Sequence, residues 1–239
     1  MFKKILLVLM LASTQSIADK DNIIKNLAPF FGEINANDIE ETNFKGVSEV
    51  LLRSPIIRSV LISNNGRYLI EGDVVDLFNR KKMTASNKVK QLKKSLIDTL
   101  NDKDKIIFKA EDEKYVVHVF TDVDCPFCRK LHAEVPTMNE MGITVKYLAS
   151  PLASLHPTAQ GSMEKIWCAL DKAKAMDDYK KYKTIPDSKN CDNPVAEQLA
   201  LASKLGVNGT PAIFLSDGTH IPGYAPADKL LKAIKTLGK

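Results

Sequence analysis

The chain lacks the usual signatures of nucleotide, metal-hydrolase and serine-hydrolase chemistry. Its 239 residues contain no glycine-rich phosphate loop, no metalloprotease motif and no serine-nucleophile elbow. Past the first eighteen residues, no stretch approaches the ~20 apolar residues of a membrane-spanning helix. Charge of one sign is scarce as well. The net charge is +5, and removing the two charges of Lys3 and Lys4 leaves +3. Acidic residues are interspersed with the lysines, which describes a solvated surface and not a nucleic-acid groove. Cysteine is limited to Cys125, Cys128, Cys168 and Cys191. A zinc centre would need a second close pair of Cys or His ligands beside Cys125 and Cys128. Cys168 and Cys191 lie far apart with no histidine close to either, so that second pair is missing. The hydrophobic fraction of 44% is nevertheless ordinary, so a sizeable core is possible.

What is present centres on Phe120-Thr121-Asp122-Val123-Asp124-Cys125-Pro126-Phe127-Cys128. A β-rich run, Tyr115 to Phe120, leads into it, and a helix-like run follows from Arg129 to about Asn139. Two cysteines separated by two residues at a strand-to-helix junction are the arrangement of a thioredoxin-like redox site. The helix start directs unpaired N–H groups and positive partial charge at the first sulfur, which favours its thiolate, the reactive form. The plain alternatives are a purely structural Cys125–Cys128 bridge or half of a zinc site.

The chain opens on Met1-Phe2-Lys3-Lys4, an apolar run from Ile5 to Ala12, and Ser16-Ile17-Ala18. Positive charge, a short apolar segment and a small-x-small site predict a secretory signal peptide at residues 1–18; the alternative is an uncleaved anchor. An exported chain permits disulfides. Residues 19–80 read as an α+β domain. A helix over Asp19–Phe31 carries Ile23, Ile24, Leu27, Phe30 and Phe31 on one face and closes at Gly32. Glu33–Phe44 is polar and reads as loop. Strands follow at Val47–Leu52 and Ile56–Ser63, then an Asn64-Asn65-Gly66 turn and a hairpin partner at Arg67–Glu71. So few elements make a thin core, which predicts pairing with a second copy; packing on the second domain alone is the other possibility. Residues 81–104 read as a linker helix, with Val89, Leu92, Leu96 and Leu100 in one stripe. A helix packed wholly on one domain fits the same stripe.

Residues 105–239 read as an α/β thioredoxin-like domain with a helical insertion. Strand Tyr115–Phe120, a helix that Pro136 should kink, and strand Ile143–Leu148 form a parallel unit. The insertion runs from Thr158 to Leu205 and holds Cys168 on an apolar face and Cys191 in a polar loop. A second bridge between them is expected, with two free thiols or an auxiliary redox pair as the alternatives. Thr210-Pro211 opens a β run. Pro suits a strand's first residue, and with the cysteine motif upstream a cis Thr210–Pro211 bond is expected, leaving backbone groups free to meet an extended chain. Among the histidines, His118 reads as a packed strand residue, His132 as helix surface, and His156 as chemically idle.

These residues resemble a known family. Phe120-Thr121-Asp122 before the cysteine pair, Lys130-Leu131-His132 after it, Gly142-Ile143-Thr144-Val145 with Tyr147-Leu148-Ala149, Ile166-Trp167-Cys168-Ala169, Leu205-Gly206-Val207 with Gly209-Thr210-Pro211-Ala212, and Pro222-Gly223-Tyr224 are similar to the bacterial periplasmic disulfide isomerases of the DsbC/DsbG group, DsbC being the nearer type. The resemblance implies a V-shaped homodimer. In it, small N-terminal domains pair, linker helices extend, and two thioredoxin-like domains face a cleft. It also implies a structural Cys168–Cys191 bridge, a cis Pro211, catalytic Cys125 and Cys128, and substrate binding at Thr210 and Pro211. The activity implied is periplasmic reshuffling of wrong disulfides in misfolded exported proteins. Electrons would come from a membrane reductase of the DsbD type, with no metal, organic cofactor or nucleic acid. The pair between the cysteines is Pro126-Phe127 where the isomerase type usually has Gly-Tyr. Pro-aromatic resembles the DsbG branch and glutaredoxins, so a reductase of oxidised single cysteines is the alternative within redox chemistry. A chaperone whose cleft holds unfolded chains, with secondary thiols, is the rival from another class.

Overall fold

A computed structural model describes residues 6–72, 74–83 and 87–237. The charged start of the expected leader and Thr84–Ser86 of the expected linker helix lie outside the described residues. The chain divides into two compact units at Val89 and Lys90. No described helix is long and apolar enough to cross a membrane.

The first unit holds α1 (Leu6–Phe31), a 3-10 turn at Ala36–Asp38, and an antiparallel sheet in the order β1 (Ile39–Glu41), β2 (Val47–Leu52), β3 (Arg58–Ser63) and β4 (Leu69–Ile70). Ile23 and Leu27 of α1 are buried with Ile39, Val50, Leu52, Val60 and Ile62. Phe31 takes the inward place in the last turn of α1, so Phe30, which the sequence puts on the buried face, is 78% exposed. The β3–β4 turn needs Gly66, whose φ is +72°; a Cβ there would fall 2.8 Å from the Asn22 carbonyl oxygen. Glu33–Phe44 is not simply loop. The Asn35 side chain accepts from the Asn37 N–H at 2.8 Å, and Ile39 alone anchors β1 while Glu40 and Glu41 stay out. A single apolar residue in a polar run gives no alternation to read.

The helical stripe predicts a helix from Lys81, but α2 spans Asn87–Asp98. Lys81 and Lys82 instead form β6, antiparallel to β5 (Val75–Asp76). The Asp76 carboxylate accepts the N–H groups of Phe78 (2.9 Å) and Asn79 (3.0 Å), which fixes the intervening turn and delays the helix.

The second unit is built on a sheet ordered β11 (His220–Pro222), β10 (Ala212–Leu215), β8 (Tyr115–Thr121), β9 (Ile143–Ala149) and β7 (Ile106–Phe108). β8 and β9 are parallel, and the other pairs are antiparallel. The crossover between β8 and β9 is α3 (Pro126–Ala133) followed by α4 (Val135–Glu140). The break at Glu134 is where the chain must accommodate Pro136, which lacks an N–H and fits the first turn of a new helix. The insertion supplies α5 (Ala159–Trp167), α6 (Lys172–Tyr182) and α7 (Val195–Lys204), and α8 (Ala227–Leu237) ends the unit. Val117, Val119, Leu131, Met138, Val145, Tyr147, Ile166, Trp167, Ile213 and Leu230 belong to one buried core. A disulfide joins Cys168, at the end of α5, to Cys191 in the loop before α7. Gly218 turns the β10–β11 hairpin at φ +87° against the backbone of Lys90, where any Cβ would collide with its carbonyl.

Candidate active site

Strand register assembles the site. Ala212 lies opposite Phe120 and Ile213 opposite Val119. That antiparallel register carries the two preceding residues, Thr210 and Pro211, alongside the turn that follows β8. Their peptide bond is cis, as is Ser54–Pro55 in the first unit. The turn itself is organised by Asp122, which is fully buried. Its Oδ1 accepts the N–H groups of Asp124 (2.7 Å) and Cys125 (3.3 Å). Its Oδ2 accepts the Leu152 N–H (2.7 Å) and meets His156 Nδ1 at 3.0 Å. The carboxylate thereby fixes the approach to α3 and ties it to the loop after β9.

Cys125 is the N-cap of α3, Pro126 its first residue, and Cys128 lies within its first turn. Both cysteines are free thiols. Cys125 keeps 5% of its surface and Cys128 1%, while Phe127 between them is 61% exposed. The two sulfurs are strongly unlike. A hydrogen bond from Cys128 lowers the Cys125 thiol to about 5, against the effect of burial, and N–H groups of the helix start add to it. Burial pushes Cys128 far above an ordinary thiol, and its bond to Cys125 pushes the same way. Cys125 Sγ lies 3.2 Å from the Thr210 carbonyl oxygen. Among the described residues the buried Thr210 hydroxyl has no hydrogen-bond partner, and it lies where it favours either thiolate.

Groups behind the sulfurs escape the sequence reading. Lys180 of α6 is 2% exposed. Its Nζ donates to the Asp122 carbonyl at 2.6 Å and lies 3.4 Å from Thr121 Oγ1. The Asp122 N–H in turn donates to Cys128 Sγ at 3.4 Å. His132 is not helix surface: it is 4% exposed, with Nδ1 3.2 Å from Tyr147 Oη and Nε2 2.8 Å from Asp177 Oδ1. Cys128, Leu131, His132 and Val135 recur at helical spacing, and that stripe is the signal that places His132 inward. His156 is not idle either, because it holds the Asp122 carboxylate.

The outer rim is ionic and aromatic. Asp124 meets Lys183 and accepts from Tyr179 Oη at 3.2 Å. Partial burial works to raise the Asp124 carboxyl, and Lys183 and Tyr179 outweigh it and hold it below the usual range. Lys130 Nζ stands 4.6 Å from the centre of the Tyr224 ring, and the Tyr224 hydroxyl donates to Glu134. Glu134 Oε2 also accepts the Ala227 N–H at 2.7 Å, at the start of α8.

A sheet of this order with a Cys-x-x-Cys pair capping the helix after its central strand, opposite a cis-proline, defines a thioredoxin-like thiol–disulfide oxidoreductase. Residues 101–238 match the thioredoxin-like domain family, and residues 14–85 match the N-terminal domain of disulfide bond isomerase proteins. The thiol:disulfide interchange protein DsbC of Escherichia coli strain K12 is 37% identical, over 96% of this chain and 94% of its own. The DsbC of Haemophilus influenzae is 33% identical, over 98% of each. A crystal structure of a disulfide interchange protein from Neisseria gonorrhoeae superposes with a TM-score of 0.53 at 36% identity, covering 57% of this chain and 96% of that one. The chain belongs to the DsbC family of thiol:disulfide interchange proteins.

Proposed function

We propose that the protein is a disulfide isomerase in which Cys125 is the attacking sulfur and Cys128 the resolving one. The observation that carries this reading is the asymmetry of the pair: one sulfur at a helix start with its thiol lowered to about 5, the other buried and held protonated. The Cys125 thiolate attacks a substrate disulfide, and one substrate sulfur leaves as a thiolate. A different substrate thiolate then displaces Cys125, so the substrate is reshuffled with no net redox change. Where no such displacement follows, Cys128 attacks Cys125 and the substrate is released reduced. Exposed Phe127 and the Thr210–Pro211 backbone border the sulfur and suit an extended chain.

Residues 19–80 serve as the dimerisation domain, 81–104 as the connection and 105–239 as the exchange domain. In the first unit Phe30, Tyr68, Leu77 and Phe78 are exposed, and large apolar side chains left in solvent are what a second copy can cover. The leader at residues 1–18 addresses the chain to the periplasm, where disulfide-containing exported proteins are the substrates. Cycling requires the pair reduced, which a membrane reductase of the DsbD type supplies. The Cys168–Cys191 bridge is structural.

Refolding of scrambled ribonuclease tests the reading. Wild type recovers activity, Cys125→Ala does not, and a chain lacking the first unit loses much of the effect. Recovery by Cys125→Ala would overturn the isomerase assignment.

A further inference from the structure

The ammonium of Lys180 is buried without a carboxylate of its own. Among the described residues its Nζ bonds only the Asp122 carbonyl oxygen, at 2.6 Å, and Thr121 Oγ1, at 3.4 Å. The Asp122 carboxylate is taken up by the N–H groups of Asp124, Cys125 and Leu152 and by His156. An unpaired buried charge is costly, so a position such as this one needs a compensating anion in some state of the protein. The sulfur of Cys128 is the candidate that the geometry offers: it receives the N–H of the same Asp122 whose carbonyl Lys180 holds. The charged and titratable groups that act on Lys180 are Cys128 and Cys125 from α3, Asp122 from the preceding turn, and Arg129 and His132 from α3. Asp177 on its own helix is hydrogen-bonded to His132 at 2.8 Å and faces Lys181 at 4.0 Å, and its side chain is 40% exposed.

We propose that Lys180 is a positioning residue for the resolving step, its buried ammonium supplying the counter-charge that allows Cys128 to become a thiolate. The inference rests on the exchange roles of Cys125 and Cys128 and deepens them. In the step, Cys128 loses its proton to solvent and its sulfur bonds to Cys125 Sγ. The bond between Cys125 and the substrate sulfur breaks, and that sulfur leaves with the electron pair and takes a proton from solvent. The substrate is reduced by two electrons and the cysteine pair is oxidised by two. Lys180 keeps its proton throughout. By setting how fast Cys128 ionises, Lys180 governs how long a mixed disulfide survives, and therefore how often a substrate is reshuffled before it is released reduced.

The test uses the reduced full-length protein with one equivalent of dithiobis(nitrobenzoate). Attack by Cys125 releases one coloured thiolate, and attack by Cys128 on the mixed disulfide releases the second. Lys180→Met and Lys180→Gln should slow the second release by about tenfold or more, the consequence of a one-unit rise in the Cys128 thiol. The first release should stay within about twofold, because Cys125 is already ionised at neutral pH. A merely structural role would not change the pH profile. In wild type the second rate should level off above about 8, where burial brings Lys180 to lose its proton, since thiolate and ammonium no longer coexist. In the variants it should climb without that break. A folded variant with an unchanged second release, or a wild-type profile rising unbroken past that point, overturns the proposal. Should both variants fail to fold, the wild-type profile decides alone. Absence of the first release would instead overturn the exchange roles themselves, and this inference with them.

Discussion

The carbonyl oxygen of Thr210 and the sulfur of Cys125 are 3.2 Å apart across 85 residues of sequence. A thiol can donate to that carbonyl and a thiolate cannot, so ionisation of Cys125 frees the oxygen to accept an incoming backbone N–H. The neighbouring Thr210 hydroxyl favours the thiolate. Thr210→Val keeps the carbonyl and removes the hydroxyl. The Cys125 thiol should then rise by up to about one unit, read from the pH dependence of its alkylation.

The depressed Cys125 thiol also links pH to stability in the reduced form only. Folded Cys125 ionises near 5 and an unfolded cysteine near about 8.5. The reduced protein should therefore gain stability over the oxidised one as pH rises through that window, and lose the gain as pH falls back through the lower value. Above about 9 the trend reverses, because the unfolded chain ionises Cys128 and the folded one, with that thiol pushed up, does not. Burial lowers His118, His132 and His220 to about 4, but these act on both redox forms and cancel in the difference. Urea midpoints of the two forms at several pH values measure it; a flat difference would contradict the assignment.

Behind the sulfurs, buried Tyr147 and His132 are hydrogen-bonded to each other, and His132 reaches the half-exposed Asp177. Tyr147→Phe removes one neutral bond and should cost about 1 kcal/mol. His132→Ala leaves the buried Tyr147 hydroxyl unpaired and opens a cavity, so about 3 kcal/mol is expected. Chemical denaturation of the two variants gives both numbers, and equal losses would contradict this ranking.

The Cys168–Cys191 bridge closes a loop with a sequence separation of 23 that contains all of α6. Replacing both by serine should lower stability by about 3 kcal/mol in the chain-entropy account. The rate of the first thiolate release should stay within about twofold, because Cys125 and its helix lie outside the loop. A large loss of that rate in a folded variant would give the bridge a part in the chemistry.

What the sequence makes legible is what local chemistry decides. The Cys125–Cys128 spacing, the Asn-Asn-Gly turn and the apolar strand runs each carry their own signal within a few residues. Lys180 does not, because its meaning depends on α6 folding back over a turn 58 residues upstream, and a lysine in a Lys-rich helix reads as solvated surface. His156 is hidden for the same reason, 34 residues from the carboxylate it holds. The late start of α2 turns on a two-residue strand pair too short to show a period. His132 is different: its place in the stripe of Cys128, Leu131 and Val135 is readable, but a polar residue in such a stripe is easily taken for surface.

The most direct test is the pH dependence of Cys125 alkylation by iodoacetamide in the reduced wild-type protein, with the modified residue located by mass spectrometry. A midpoint near 5, with Cys128 unmodified, is the outcome required by a thiolate at the start of α3 beside a buried, protonated partner. A midpoint near the ordinary thiol value of about 8.5, or equal modification of both cysteines, would contradict it.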